Sequence, residues 1–318
     1  MRNPVITFLV FLVTLIILAV IIADYMSTRP GRRPPNPFAY DVEEFRLLSA
    51  DLLKWMETGQ IRLDTVPSAI ATKNGYIFLA AGRELQVIDM QGRRELRRQL
   101  PSTPAAIAIS GSGMIILAMD NYLIMLDDEG NMTGESAAVD NSIFTSVAES
   151  GGHIFVADAE GRRVLVFNDD LEVTGQFRGE SGVSDTHGFI VPNAWFSLAV
   201  NPENELWITN PGLHKLQNYT FGGRLRSYIQ RRSFDIDGFS GCCNPIHFAF
   251  LPGGEFVTSE KGIIRVKVMS EAGDVISVVA PPDKFERGTR APAVATDEYG
   301  NVLLLDFDRN MIRIFEPE

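Results

Sequence analysis

The sequence predicts an all-β chain folded as a six-bladed β-propeller, carried behind one N-terminal transmembrane helix and a short amphipathic helix. Three observations predict it. An alanine-anchored unit recurs six times between residues 67 and 306, the last unit lacks an outermost strand that a spare segment near the start could supply, and an uncharged apolar run opens the chain.

That run, PVITFLVFLVTLIILAVIIA from Pro4 to Ala23, is twenty residues long. At about 1.5 Å per residue a helix of this length crosses a hydrocarbon core roughly 30 Å thick. It exceeds the usual ~7–15-residue signal core, and Ile21 and Ala23 make a poor small-x-small cleavage site, so residues 1–26 are expected to remain as an anchor. Arg29, Arg32 and Arg33 follow the span and only Arg2 precedes it, a count that by itself favours a cytoplasmic C-terminal domain. Long domains translocate largely regardless of such charges, and an N-terminal apolar segment is the usual export signal. The expected placement is therefore a single-pass membrane protein with its C-terminal domain in the periplasm.

Residues 27–40 carry four prolines, each fixing φ and lacking an N–H, and are expected to form an extended stalk. Residues 41–58 begin with Asp41 followed three residues on by Glu44, the pattern of a capping box. Val42, Phe45, Leu48, Leu52 and Trp55 then follow a helical spacing, which predicts an amphipathic helix docked on the domain.

The propeller is expected over residues 59–318. Its units align on Ala71, Ala108, Ala148, Ala199, Ala249 and Ala295, spaced by 37, 40, 51, 50 and 46 residues. Propeller blades repeat at about 40–50 residues. In the third unit FTSVAES, HIFVAD, RRVLVFN and EVTGQFR are four short strands separated by Gly- and Asp-bearing turns, the all-β pattern. The sixth unit stops after MIRIFE (311–316). QIRLDTV (60–66) is expected to pair beside it and close the ring, removing a sheet edge that would otherwise invite aggregation.

Composition sets further limits. With 45% hydrophobic and 22% charged residues this is ordinary globular stock. Formal net charge is −11, and beyond residue 33 there are 25 basic and 39 acidic residues, leaving no basic stripe for phosphates, so no nucleic-acid partner is expected. The two cysteines, Cys242 and Cys243, are adjacent, so no disulfide framework holds the fold.

Segments 153–170, 205–225 and 300–317 show a strand ending in Asp or Asn, then an Arg-Ile-Gln-Val-Phe-like strand and a further turn. In this the chain resembles NHL-repeat propellers over roughly residues 60–318, most strongly in units three to six, with Ala81 and Met119 standing where Asp is usual. It is also similar to bacterial membrane-anchored NHL proteins that carry a Gly-Cys-Cys-Asn-Pro segment, here residues 241–245. The resemblance implies the six-bladed fold and leaves the function open, since one propeller fold hosts scaffolds, lyases and hydrolases alike.

Three insertions, 179–194, 231–244 and 281–290, each precede a unit's first strand and are expected to crowd one mouth of the central channel, where propellers usually bind ligands. Cys242, Cys243 and His247 offer two soft ligands and an imidazole for copper or zinc, although structural zinc motifs space their cysteines more widely. The same cysteines could instead form a redox pair or simply pack. Asn244 lies in this segment, and His187 lies in the first insertion as a ligand or a solvated loop residue. Asp158, Asn210, Glu260 and Asp306 end the second strands, either as an oxygen arc suited to calcium or as caps of the following turns. His214 reads as a turn residue and His153 as structural. No Gly-x-Ser-x-Gly elbow, phosphate loop or His-Glu-x-x-His helix is present.

The expected function is thus a membrane-anchored scaffold that binds a protein or small-molecule ligand on its loop-rich face. The alternative is a metal- or thiol-dependent enzyme or metal carrier centred on Cys242, Cys243 and His247. Such an enzyme would resemble amidating lyases in its fold and in using metal at the channel.

Overall fold

The computed structural model describes residues 4–27, 42–179 and 188–318. Residues 28–40 of the proline-rich stalk, Asp41 and His187 lie outside the described residues. Contacts divide the chain into residues 1–42 and residues 43–318.

The first unit contains α1 (Pro4–Ser27), a 24-residue helix whose apolar side chains are exposed along its whole length. At about 1.5 Å per residue it exceeds a bilayer's hydrocarbon thickness. By length and composition it could cross a membrane, a test that a signal sequence also passes. The hydroxyl of Thr14 donates to the Val10 carbonyl, which satisfies a polar group that would be costly in lipid.

The second unit is built of six four-stranded antiparallel sheets. The chain first forms β1 (Trp55–Arg62), which belongs to the last blade. Blade one is β2 (Pro67–Lys73), β3 (Tyr76–Ala81), β4 (Glu84–Asp89) and β5 (Arg94–Gln99). Blade two is β6 (Ala106–Ile109), β7 (Ile115–Ala118), β8 (Leu123–Leu126) and β9 (Met132–Glu135). Blade three is β10 (Phe144–Ser150), β11 (His153–Asp158), β12 (Arg163–Phe167) and β13 (Val173–Phe177). Blade four follows as β14 (Leu198–Val200), β15 (Leu206–Asn210), β16 (Lys215–Tyr219) and β17 (Leu225–Gln230). Blade five is β18 (His247–Phe250), β19 (Phe256–Glu260), β20 (Arg265–Met269) and β21 (Val275–Ala280). Blade six is β22 (Ala293–Thr296), β23 (Val302–Asp306) and β24 (Met311–Pro317), completed by β1.

The six alanine anchors all fall in innermost strands, each packed in or against one of the apolar clusters between blades. Neighbouring inner strands are stitched by hydroxyls: Thr145 donates to the Phe196 carbonyl (2.6 Å), Ser146 to Leu198 (3.0 Å) and Thr296 to Phe250 (2.5 Å). Second and third strands are largely buried on both faces, and fourth strands are mostly exposed except β21, which is buried from Ser277 to Ala280. Six apolar clusters lie between consecutive blades, and the cluster of Ile77, Leu79, Ile88, Leu303, Leu305 and Ile312 joins blade six to blade one.

Closure occurs as the sequence predicts, with a shifted strand. The closing strand is Trp55–Arg62 instead of 60–66, and its register runs from Trp55 opposite Pro317 to Arg62 opposite Met311. The expected amphipathic helix over 41–58 is not formed. In its place are two single 3-10 turns, Glu44–Arg46 and Ala50–Leu52, joined by extended backbone at Leu47, before β1 begins at Trp55. Tertiary contacts override the helical spacing. Phe45 meets Phe234, Arg46 donates to the Pro282 carbonyl, Leu53 bridges to Val278 beside β21, and the Trp55 indole N–H donates to Ser277 Oγ. The segment docks on blades five and six, but as a strap and not as a helix.

Candidate functional site

Ala194 and Arg290, which end the first and third insertions, line one cavity of about 410 Å³ at the mouth of the channel, together with Trp195 and Phe196 just after the first and Ile246 and His247 just after the second. Among the described residues, none of the second insertion itself, 231–244, lines it. Ile143, Phe144 and Phe307 add apolar wall, and Ser68, Thr103 and Asp120 add polar groups. A further cavity of about 160 Å³ runs among the inner strands and shares Ser68, Thr145 and His247 with the mouth.

His247 opens β18 and is the feature of this cavity that most needs explaining. Its ring meets Trp195 edge-on at 5.5 Å and lies 6.3 Å from Phe307. Among the described residues, Nε2 is buried without a hydrogen-bond partner. An orphan of this kind costs free energy unless something occupies the site. Burial pushes its pKa down to about 4 from 6.5, so the imidazole is neutral at pH 7. The unfolded chain takes up this proton at higher pH than the fold does. The contribution to stability is therefore complete above pH 6.5 and is lost as pH falls towards 4, by about 3 kcal/mol. His247→Gln should flatten the fall in melting temperature between pH 7 and 4 by that amount, whereas parallel wild-type and variant curves would contradict the assignment.

Arg290 is fixed at the rim. Its Nε donates to Asp308 Oδ1 at 2.8 Å, an Nη donates to the Phe307 carbonyl, and the guanidinium lies 5.0 Å over the Phe307 ring. The backbone N–H of Arg290 and its side chain hold the Asp308 carboxyl below its ordinary range. The mouth is thus an aromatic and aliphatic cup with few, oriented polar groups, the usual make-up of a small-molecule site.

All four members of the oxygen arc are engaged by protein partners. Asp158 and Asp306 cap the following turns, as the turn-capping reading expects, whereas Asn210 and Glu260 reach residues of the insertions. Asp158 accepts from Ser142 Oγ, the N–H groups of Ile143 and Gly161, and Arg163 Nε. Asn210 binds the Ile190 N–H, the Gly188 carbonyl and Gln217. Asp306 accepts from the Arg309 N–H and lies 3.7 Å from Arg313. Among the described residues, no three His, Cys, Asp or Glu side chains are grouped to hold a metal ion, so Cys242, Cys243 and His247 do not assemble as a copper or zinc set.

Glu260 lies in a buried ion cluster that sequence reasoning missed. Its carboxylate sits 2.9 Å from both Arg265 Nε and Lys267 Nζ, with all three side chains fully buried. Burial pushes the carboxyl up, but Lys267, Arg265 and the Ser240 N–H overcome this and hold it below its ordinary value. Burial likewise brings Lys267 down to about 8 against the pull of Glu260. The two cations then tie down the second insertion. Arg265 donates to the Phe234, Asp235 and Gly238 carbonyls, and Lys267 to those of Ile236 and Gly238. The signal was present in GIIRVKV, where two charges share one face of an otherwise apolar strand.

The segment 240–245 is pinned just beyond this cluster. Ser240 donates from N–H and hydroxyl to Glu260, the Gly241 carbonyl lies 2.8 Å from His214 Nε2, and Asn244 bonds the Ser240 carbonyl and both backbone groups of Lys261. His214 is a buried, left-handed residue (φ 56°) closing a turn, as expected. Cys242 is exposed and Cys243 buried, with their sulfurs 3.5 Å apart. His153 is exposed at the start of β11, against Phe155 and Phe221.

Solved structures share this architecture at low identity. A streptogramin B lyase is 13% identical, with a TM-score of 0.58, covering 85% of this chain and 100% of its own. A catalytically inactive histidine-to-alanine variant of virginiamycin B lyase from Staphylococcus aureus, solved with quinupristin, is 16% identical, with a TM-score of 0.56, covering 83% and 88%. A protein of unknown function from Bacteroides caccae is 15% identical, with a TM-score of 0.51, covering 73% and 83%. The chain shares their six-bladed propeller fold. No protein-family model and no curated protein matches the sequence.

Proposed function

We propose that the chain is a membrane-anchored, ligand-binding propeller that receives a small molecule at the mouth of its channel. The observation that carries this reading is His247 Nε2, buried and, among the described residues, unpartnered at the wall of an aromatic-lined cavity. The fitting ligand has a flat apolar body to lie against Trp195 and Phe307 and a hydrogen-bonding group to meet Nε2. The repeat pattern supports an NHL-type reading of the blades, and α1 supports anchoring, with the domain on the periplasmic side. A reporter active only in the periplasm, fused after Glu318, reads out that side.

Ligand-observed NMR on the full-length chain in detergent micelles, screened against small aromatic fragments, tests the binding role. Hits are expected to vanish in Trp195→Ala and to weaken about tenfold in His247→Phe, the cost of one hydrogen bond to a buried group. Hits indifferent to both substitutions, or no hits at all, would remove the support for this role.

A further inference from the structure

We propose that Cys242 and Cys243 form a dithiol centre that exchanges with disulfide-bonded substrates. Neither residue lines the cavity at the mouth or within the channel, so the proposal stands apart from the ligand reading. Its first support is asymmetry. Cys242 is exposed and can be reached by a substrate, whereas Cys243 is 3% exposed and sits behind it, its thiol pointing to the Cys242 sulfur at 3.5 Å. Its second support is the clamp: Glu260, His214 and Asn244 hold the backbone on both sides of the pair, so the two sulfurs stay adjacent while the tip remains open.

Burial, followed by the contact with Cys242, raises the Cys243 pKa, while Lys261 acts in the opposite direction. Cys243 is thus kept as a thiol until the exposed sulfur has reacted. Exchange begins when the Cys242 thiolate attacks one sulfur of the substrate disulfide, forming a mixed disulfide and expelling one substrate thiolate. Cys243 then loses its proton and attacks Cys242 Sγ, forming the Cys242–Cys243 bond and expelling the second substrate thiolate. Two protein thiols are oxidised, one disulfide is reduced, and both protons end on the released thiols. Adjacent Cα atoms across a trans peptide lie about 3.8 Å apart, below the roughly 4.4–6.8 Å usual for disulfides. The product ring is consequently strained and readily reduced again, the property of a turnover or sensing disulfide and not of a structural one.

The test is intact-mass spectrometry of the full-length chain in detergent after incubation with oxidised glutathione, followed by acid quench and maleimide labelling under denaturing conditions. Wild type should lose two hydrogens and accept no maleimide. Cys243→Ser should accumulate one glutathione, because the resolving sulfur is gone, and Cys242→Ser should react at least about tenfold more slowly, because the remaining thiol is buried. Wild-type chains that keep two maleimides, wild type that retains glutathione as Cys243→Ser does, or a Cys242→Ser variant that reacts as fast as Cys243→Ser would each overturn the proposal. Unchanged thermal melts of both variants confirm that the fold is intact.

Discussion

A chain truncated to begin at Thr65 is expected to lose cooperative folding, whereas one beginning at Glu43 should melt as a single propeller. The difference is β1. Without it β24 becomes an open edge, which favours association between molecules over closure. Arg313, 2% exposed, loses the two hydrogen bonds of 2.8 and 2.7 Å that Glu57 accepts. Asp306, 3.7 Å away, remains as its counter-charge, and breaking the closer pair from one side costs up to about 3–5 kcal/mol. The Trp55 tie to Ser277 and the Leu63 N–H bond to the Asn310 carbonyl disappear as well. A repeat array transmits such a loss to its neighbours. Starting at residue 59, the boundary that the repeat pattern suggests, removes Glu57 with half of β1 and should fall between the two. Circular dichroism melts with size-exclusion chromatography separate these outcomes, and indistinguishable melts for all three would contradict closure through β1.

The second large effect is expected at Glu260→Gln, which leaves Arg265 and Lys267 buried side by side without a counter-charge. Breaking a buried pair from one side costs about 3–5 kcal/mol. In a domain of this size that corresponds to a fall in melting temperature on the order of 10 °C. Because the two cations hold the carbonyls of residues 234–238, amide hydrogen exchange across the second insertion should also accelerate. Arg97→Ala, which removes the exposed Glu84–Arg97 pair, is the matched control and should leave the melt unchanged. A silent Glu260→Gln would show that the cluster does not hold the insertion in place.

Much of the fold was legible because propeller geometry writes itself into sequence. Each innermost strand packs one alanine against the apolar cluster it shares with a neighbouring blade, so Ala71, Ala108, Ala148, Ala199, Ala249 and Ala295 recur at blade spacing. The spare strand was legible for the complementary reason that the last unit had no partner for its edge. Residues 43–54 misled, because Phe45, Leu48, Leu52 and Trp55 are spaced as on a helix, while Phe234, Pro282 and Ser277 draw the segment into a strap that local pattern cannot reveal. Asp158, Asn210 and Asp306 could be read either as an arc of ligands or as caps; Asp158 and Asp306 take N–H groups of the next turn while Asn210 takes the Ile190 N–H of an insertion, and strand order alone does not disclose which way such a side chain turns. The meeting of the first and third insertions at one mouth followed from strand direction, whereas the second is tied to Arg265 and Lys267 instead. Trp195, Arg290 and Phe307, which build the cup around His247, were not singled out, since each looks ordinary until three blades are brought together.

The most direct test of the mouth as the ligand site is a crystal structure of residues 43–318 soaked with the strongest fragment from the NMR screen. The account predicts density against Trp195 and Phe307, with a polar atom about 3 Å from His247 Nε2. A fragment bound instead in the groove lined by Tyr76, Phe78, Leu96 and Ile109, with the mouth empty, would contradict it.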